Sequence, residues 1–118
     1  MEPRYIEDAL QKLHVKKRYH GYRLLSAAVA LALEDDSRLL EVRKKIYRPV
    51  AERYDCNISN VERNIRTVCV RTWKDCREEL CEAANYSLSS PPAASELIEI
   101  IVNYIQRVYP DEETQKGI

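Results

Sequence analysis

Hydrophobic positions in this 118-residue chain recur at three- and four-residue intervals, and no stretch alternates every second residue. That periodicity predicts α-helices and argues against strands. Tyr5, Ile6, Ala9, Leu10 and Leu13 mark a short amphipathic helix, followed by the basic connection KKRYHG, which ends at Gly21. From Tyr22, the stripe Tyr22, Leu25, Val29, Ala32 and Leu33 runs through an alanine-rich segment suited to close packing. The cluster EDDS then offers Asp36 or Ser37 as a helix cap. Leu39, Val42, Ile46, Val50 and Tyr54 keep helical spacing, but Pro49 falls inside the pattern. Proline lacks an amide hydrogen and crowds the preceding turn, so this stretch is either a kinked helix or two segments meeting near Arg48.

After the short turn DCNI comes SNVERNIRTVCVRTW, from Ser59 to Trp73. Ser59 and Glu62 stand three apart, the spacing of a capping box. Val61, Ile65, Val68, Cys69 and Thr72 form one apolar face. Asn60, Arg63, Arg66, Thr67, Val70 and Lys74 gather on the other. A helix, a turn of about four residues and a capped second helix with a polar outer face is the helix-turn-helix layout, here spanning about residues 39–74. Any antiparallel helix pair shares that outline. KDCREELCEAANYSL predicts a shorter acidic helix, and SSPPAAS a linker. SELIEIIVNYIQRVY is apolar on more than one face, with a stripe of Leu97, Ile101, Tyr104, Ile105 and Val108. Such a helix is either central to the core or shared with a second subunit. The expected fold is all-α, about six helices around one core in a single domain over residues 1–110. A disordered tail is expected at 111–118.

Charge changes the picture only when it is partitioned. The formal net charge is zero. Residues 38–77, however, hold eleven Lys/Arg against five Asp/Glu, and residues 78–118 hold two against eight. A basic middle beside an acidic end fits a protein that meets a polyanion with one face. Helical charge clustered on solvated faces gives the same count. Arg43, Lys44, Lys45 and Arg48 form the densest basic patch, ahead of the Ser59 to Trp73 helix.

The four cysteines make no CxxC pair and lie far in sequence from His14 and His20, so no metal site is expected. They read as reduced structural thiols. No apolar run approaches the ~20 residues of a membrane helix, and no secretory signal opens the chain, so a cytoplasmic protein with no membrane contact is expected. Paired acids such as Asp35 and Asp36 sit on polar segments without a pocket signal. Neither an enzyme nor a cofactor is expected.

The segment YRPVAERYDCNISNVERNIRTVCVRTW resembles the DNA-binding domain of the sporulation-initiation master response regulator family. The matching motif is Ser59, Val61, Glu62, Arg63, Ile65, Arg66 and Trp73. HGYRLLSAAVALALED and PAASELIEIIVNYI extend the likeness to about residues 5–108. The resemblance implies a helical domain whose Ser59 to Trp73 helix enters the major groove of double-stranded DNA. It also implies pairing of two such domains on tandem sites, and contact with the RNA polymerase sigma subunit near Cys76 to Tyr86. Glu62, Arg63 and Arg66 match the family's base- and phosphate-contacting positions. Arg63 suits guanine O6/N7, and Glu62 suits cytosine N4 unless the capping box holds its carboxylate.

Three positions depart from the family pattern: Asn60 in place of arginine, Thr67 in place of histidine and Val70 in place of an acid. The sequence preferred is therefore expected to differ. Family members carry a phosphoacceptor receiver domain ahead of this module, and this chain begins almost at the module, so control of that kind is not expected from it.

The leading expectation is thus a sequence-specific DNA-binding transcriptional regulator. Ser59, Asn60, Glu62, Arg63, Arg66, Thr67, Arg71 and Lys74 are its candidate DNA contacts, backed by Arg43, Lys44, Lys45 and Arg48 on the phosphates. The alternative is a pairing module of the same fold that modulates a full-length relative through Leu97 to Val108 without binding DNA.

Overall fold

The computed structural model of the chain describes residues 4–109, and the expected disordered tail lies outside them. Six α-helices follow in order: α1 (Arg4–Lys12), α2 (Gly21–Glu34), α3 (Arg48–Arg53), α4 (Ile58–Asp75), α5 (Arg77–Ala84) and α6 (Ala94–Val108). Between α2 and α3 the chain tightens into a 3-10 segment (Asp36–Glu41) and then widens into a π-helical turn (Arg43–Tyr47). Among the described residues there is no strand, so the all-α expectation holds.

The many-sided apolar character of α6 is explained inside the chain. It packs against α1, α2, α4 and α5, and Leu97, Ile98, Ile100, Ile101, Val102 and Ile105 are all buried. Burial of each such side chain contributes roughly 1.5–3 kcal/mol. Of the predicted stripe, Leu97, Ile101 and Ile105 are in the core, Tyr104 is half-buried and Val108 is exposed. A core role, not a partner, accounts for this helix, and a pairing module working through that stripe is not favoured.

Pro49 leaves one continuous but distorted helical stretch, the first of the two forms its position allowed: Val42, Tyr47 and Arg48 all keep right-handed helical dihedrals, and the π-helical turn lies just ahead of the proline. The Arg48 amide reaches back five residues to the Arg43 carbonyl. In an unbroken α-helix the Lys45 carbonyl would take the amide hydrogen that Pro49 lacks. It accepts from the Arg38 guanidinium instead, at 2.7 Å. The 3-10 segment is capped by Asp35, which accepts from the Ser37 amide, one residue before the predicted candidate Asp36 and two before Ser37.

The turn into α4 corrects a further expectation. Asp55 adopts a left-handed conformation (φ 54°), and the Cys56 amide donates to the Ala51 carbonyl at 2.9 Å, closing α3. The chain then leaves the turn extended at Asn57, whose side chain accepts from the Asn60 amide at 2.8 Å. Asn57 is therefore the cap of α4, and the Ser59–Glu62 capping box does not form. Ser59 already lies within the first turn. With Asn57 supplying the oxygen, the Glu62 carboxylate is left to other partners. The helix also runs past Trp73 to Asp75.

Gly21 is required by the approach of α2 to α4. A Cβ there would stand 2.7 Å from the Asn64 carbonyl oxygen and 2.8 Å from Val68 Cγ2. Hydrogen at this position lets the α1–α2 connection lie directly against one side of α4.

Candidate nucleic-acid interface

The faces of α4 fall as the hydrophobic pattern predicts. Val61, Ile65, Val68, Cys69 and Thr72 are buried; Ser59, Arg63, Arg66, Thr67, Val70, Arg71 and Lys74 are exposed, with Asn60 and Glu62 half-buried. At 100° per residue, Arg63, Thr67, Val70 and Lys74 form the outermost stripe, Glu62 and Arg66 one flank, and Asn60, Asn64 and Arg71 the other.

The outer stripe is internally organised. Arg63 Nη2 donates to Asn60 Oδ1 at 2.5 Å, so the residue that replaces the family's arginine holds a neighbouring one. The Thr67 hydroxyl donates back to the Arg63 carbonyl at 3.1 Å, so it is already engaged, and Val70, one turn further on, is exposed. Lys74 lies roughly 20 Å along the axis from Asn60, too far to share its base pairs.

On the Glu62 flank the structure brings together residues from two segments. Glu62 Oε1 lies 3.5 Å from Arg66 Nη2 and 3.8 Å from Arg43 Nη1 of the π-helical turn. The carboxylate thus neither caps the helix nor stands free. Lys45 pairs at 4.0 Å with Glu41, the last residue of the 3-10 segment. Lys44 and Arg48 are exposed and make no ion pair among the described residues. Beneath this flank Tyr47 is buried, and burial followed by the Glu62 charge pushes its phenol up to about 12.

Sequence reasoning missed the opposite flank. The connection before α2, the first turn of α2 and the residue closing α3 bring Arg18, Tyr19, His20, Arg23 and Tyr54 alongside Asn60, Asn64 and Arg71, with Arg53 at the Tyr54 ring. A cleft of about 300 Å³ is lined by Arg18, Tyr19, His20, Gly21, Asn64, Thr67, Val68 and Arg71. A second of about 360 Å³, sharing His20 and Asn64, adds Arg23, Leu24, Tyr54, Cys56 and Asn60. Arg71 sits 4.7 Å and Arg18 6.0 Å from the Tyr19 ring centre. Arg53 and Arg23 sit 5.2 Å and 6.0 Å from that of Tyr54. The basic run KKRYH was the only local signal for this flank, and its neighbour in space could not be read from it.

The thiols behave as packing groups. Desolvation pushes Cys69 up to about 12 and Cys76 up to about 11, and Cys76 Sγ donates to the Leu13 carbonyl at 3.0 Å. All four cysteines are free. Among the described residues no cluster of His, Cys, Asp or Glu is arranged to hold a metal ion, and no helix is long and apolar enough to cross a membrane.

A helix, a left-handed turn and a capped second helix with an exposed polar face and basic flanks define a helix-turn-helix domain of DNA-binding type. Residues 6–105 match the family described as Sporulation initiation factor Spo0A C terminal. The chain belongs to that family, a family of DNA-binding effector domains of sporulation regulators.

Proposed function

We propose that this chain is a sequence-specific transcriptional regulator that inserts α4 into the major groove of double-stranded DNA. The observation that carries the reading is the outer stripe of α4, held clear of the core by five buried residues and carrying Arg63, Thr67, Val70 and Lys74 into solvent. Arg63, steadied by Asn60, donates to guanine O6 and N7. The Thr67 methyl and Val70 offer apolar contact to thymine methyl groups. Ser59, Arg66, Arg71 and Lys74 meet phosphates or base edges at the rims, and Arg43, Lys44, Lys45 and Arg48 add backbone contacts. Glu62 orients Arg43 and Arg66 in the free protein, and reads cytosine only if it gives up one of them.

Two finer elements come from the family likeness. Contact with the polymerase sigma subunit falls to α5, whose exposed Glu78 suits a basic partner, while Glu82 already pairs with Lys12 at 3.1 Å. Pairing on tandem sites needs a surface other than the buried stripe of α6. Such a regulator works in the cytoplasm, beside the DNA.

The test compares Arg63→Ala with Lys45→Ala on a duplex selected from a random pool and on random duplex. Arg63→Ala is expected to lose roughly 1–3 kcal/mol on the selected site and to flatten preference at one base position. Lys45→Ala is expected to weaken both duplexes alike and to reduce the salt dependence. Equal losses from both variants on both duplexes would remove the assignment of roles. Absence of binding by the unaltered protein at low salt would remove the function.

A further inference from the structure

The cations that the helix-turn-helix reading assigns to phosphate lie on α4 itself or on the segment from Arg43 to Arg48. The other side of α4 carries a set with different neighbours. Arg18, Arg23, Arg53 and Arg71 come from three separate stretches of chain, and among the described residues none of them pairs with a carboxylate. Each instead lies near a tyrosine ring, Arg18 and Arg71 at Tyr19, Arg23 and Arg53 at Tyr54. A guanidinium held at a ring face keeps its N–H edges for an acceptor, and its planar fork matches a phosphate. His20 is exposed and lines both clefts, one bordered by Arg18 and Arg71 and the other by Arg23 and the Tyr54 ring at which Arg53 sits.

We propose that Arg18, His20, Arg23 and Arg53 form a second phosphate-binding strip, which grips the DNA strand opposite the one met by Arg43 to Arg48. The inference rests on α4 being the major-groove helix. An α-helix with its side chains is about 10–12 Å across and the groove about 12 Å wide, so a helix lying in it has a sugar-phosphate backbone along each flank. The two flanks of α4 carry cations from different segments, which suits that geometry. Tyr19 and Tyr54 are positioning residues: they hold guanidiniums that would otherwise sweep free in solvent. Gly21 sets the distance, because the close contact with Asn64 brings the 16–20 connection within reach of the same groove as α4.

The test is a salt titration of duplex binding by the full chain, comparing the wild type with the double variant Arg18→Gln/Arg23→Gln. Each lost phosphate contact removes about 0.9 from the slope of log K against log salt, so the slope should fall by about 2. Affinity should drop roughly tenfold or more near 0.15 M salt, equally on selected and random duplex, with base preference unchanged. Arg4→Gln on α1 should leave all of this unaltered. A second arm needs no change to the protein: neutral methylphosphonates placed singly along each strand should weaken the wild type on both strands. The positions costly to the wild type but silent in the double variant should lie on one strand only. A double variant that keeps the wild-type slope and affinity, or methylphosphonate effects confined to one strand, overturns the second strip while leaving the groove helix intact. Failure of the wild type to bind any duplex at low salt overturns both.

Discussion

The two flanks of α4 are both basic and are built in opposite ways. On one, Glu62 draws in Arg43 and Arg66, while Lys45 pairs with Glu41. On the other, four arginines lie at tyrosine rings and, among the described residues, pair with no carboxylate. An internal ion pair must be opened or shared before its cation can neutralise a phosphate, whereas an arginine at a ring face is both oriented and available. Counting positive residues therefore misjudges such a surface. The flank whose cations are grouped in sequence is the more neutralised, and the flank scattered through the sequence is the more open to an anion.

The largest expected effect comes from breaking the open flank at its base. Gly21→Ala forces a methyl group onto the Asn64 backbone oxygen and Val68, and overpacking of this kind costs about 1–3 kcal/mol. A thermal unfolding midpoint lowered by several degrees, with duplex affinity reduced beyond what the unfolded fraction explains, is the expected result. Unchanged stability would mean that α2 and α4 can separate without loss.

Next comes alkaline pH, which bears on the paired flank through the acids buried beneath it. Burial raises Cys69 and Tyr47 in the folded state, so the native protein holds protons that the unfolded chain releases. Their contribution is intact below the ordinary thiol value of 9.0 and is lost as pH climbs toward about 12. Unfolding free energy should fall progressively between pH 8 and 11. Tyr47→Phe should flatten the upper part of that decline, and a denaturant titration at each pH measures it. A flat profile would show these groups to be better hydrated than their burial implies.

The smallest effect sharpens the contrast most directly. Glu62→Gln frees Arg43 and Arg66 from their shared carboxylate. Binding to random duplex should therefore tighten, by about 0.5–1 kcal/mol, with a steeper salt dependence. The same substitution should leave the response to Arg18→Gln/Arg23→Gln untouched, since that flank contains no part of the Glu62 network. Weaker binding after Glu62→Gln would mean that the carboxylate contributes to DNA recognition itself.

Several readings of the residues hold because helical periodicity is a local property. The buried set of α4, from Val61 to Thr72, and the polar set opposite it follow from 3.6 residues per turn. The π-helical distortion at Arg43–Tyr47 goes with the missing amide hydrogen of Pro49. The capping box expected at Ser59 does not form, for an equally local reason: Asn57 and Ser59 both suit a cap, and the Ser59–Glu62 spacing alone matches the motif. What selected Asn57 was the turn before it, where Asp55 takes a left-handed conformation and the chain leaves it extended. That choice released Glu62 to pair with Arg43 across the turn, a contact between residues nineteen apart in sequence.

The sequence by itself determined an all-α chain, the two faces of its recognition helix, and membership in a family recognisable from Ser59, Val61, Glu62, Arg63, Ile65, Arg66 and Trp73. Each of these depends on spacing within one segment. The tertiary structure alone decided that α6 is a core helix, that Glu62 is an organiser of arginines, and that Arg18, Arg23 and Arg53 stand beside α4. Those facts depend on how closely separate helices approach, and at Gly21 that distance is set by a side chain that is absent.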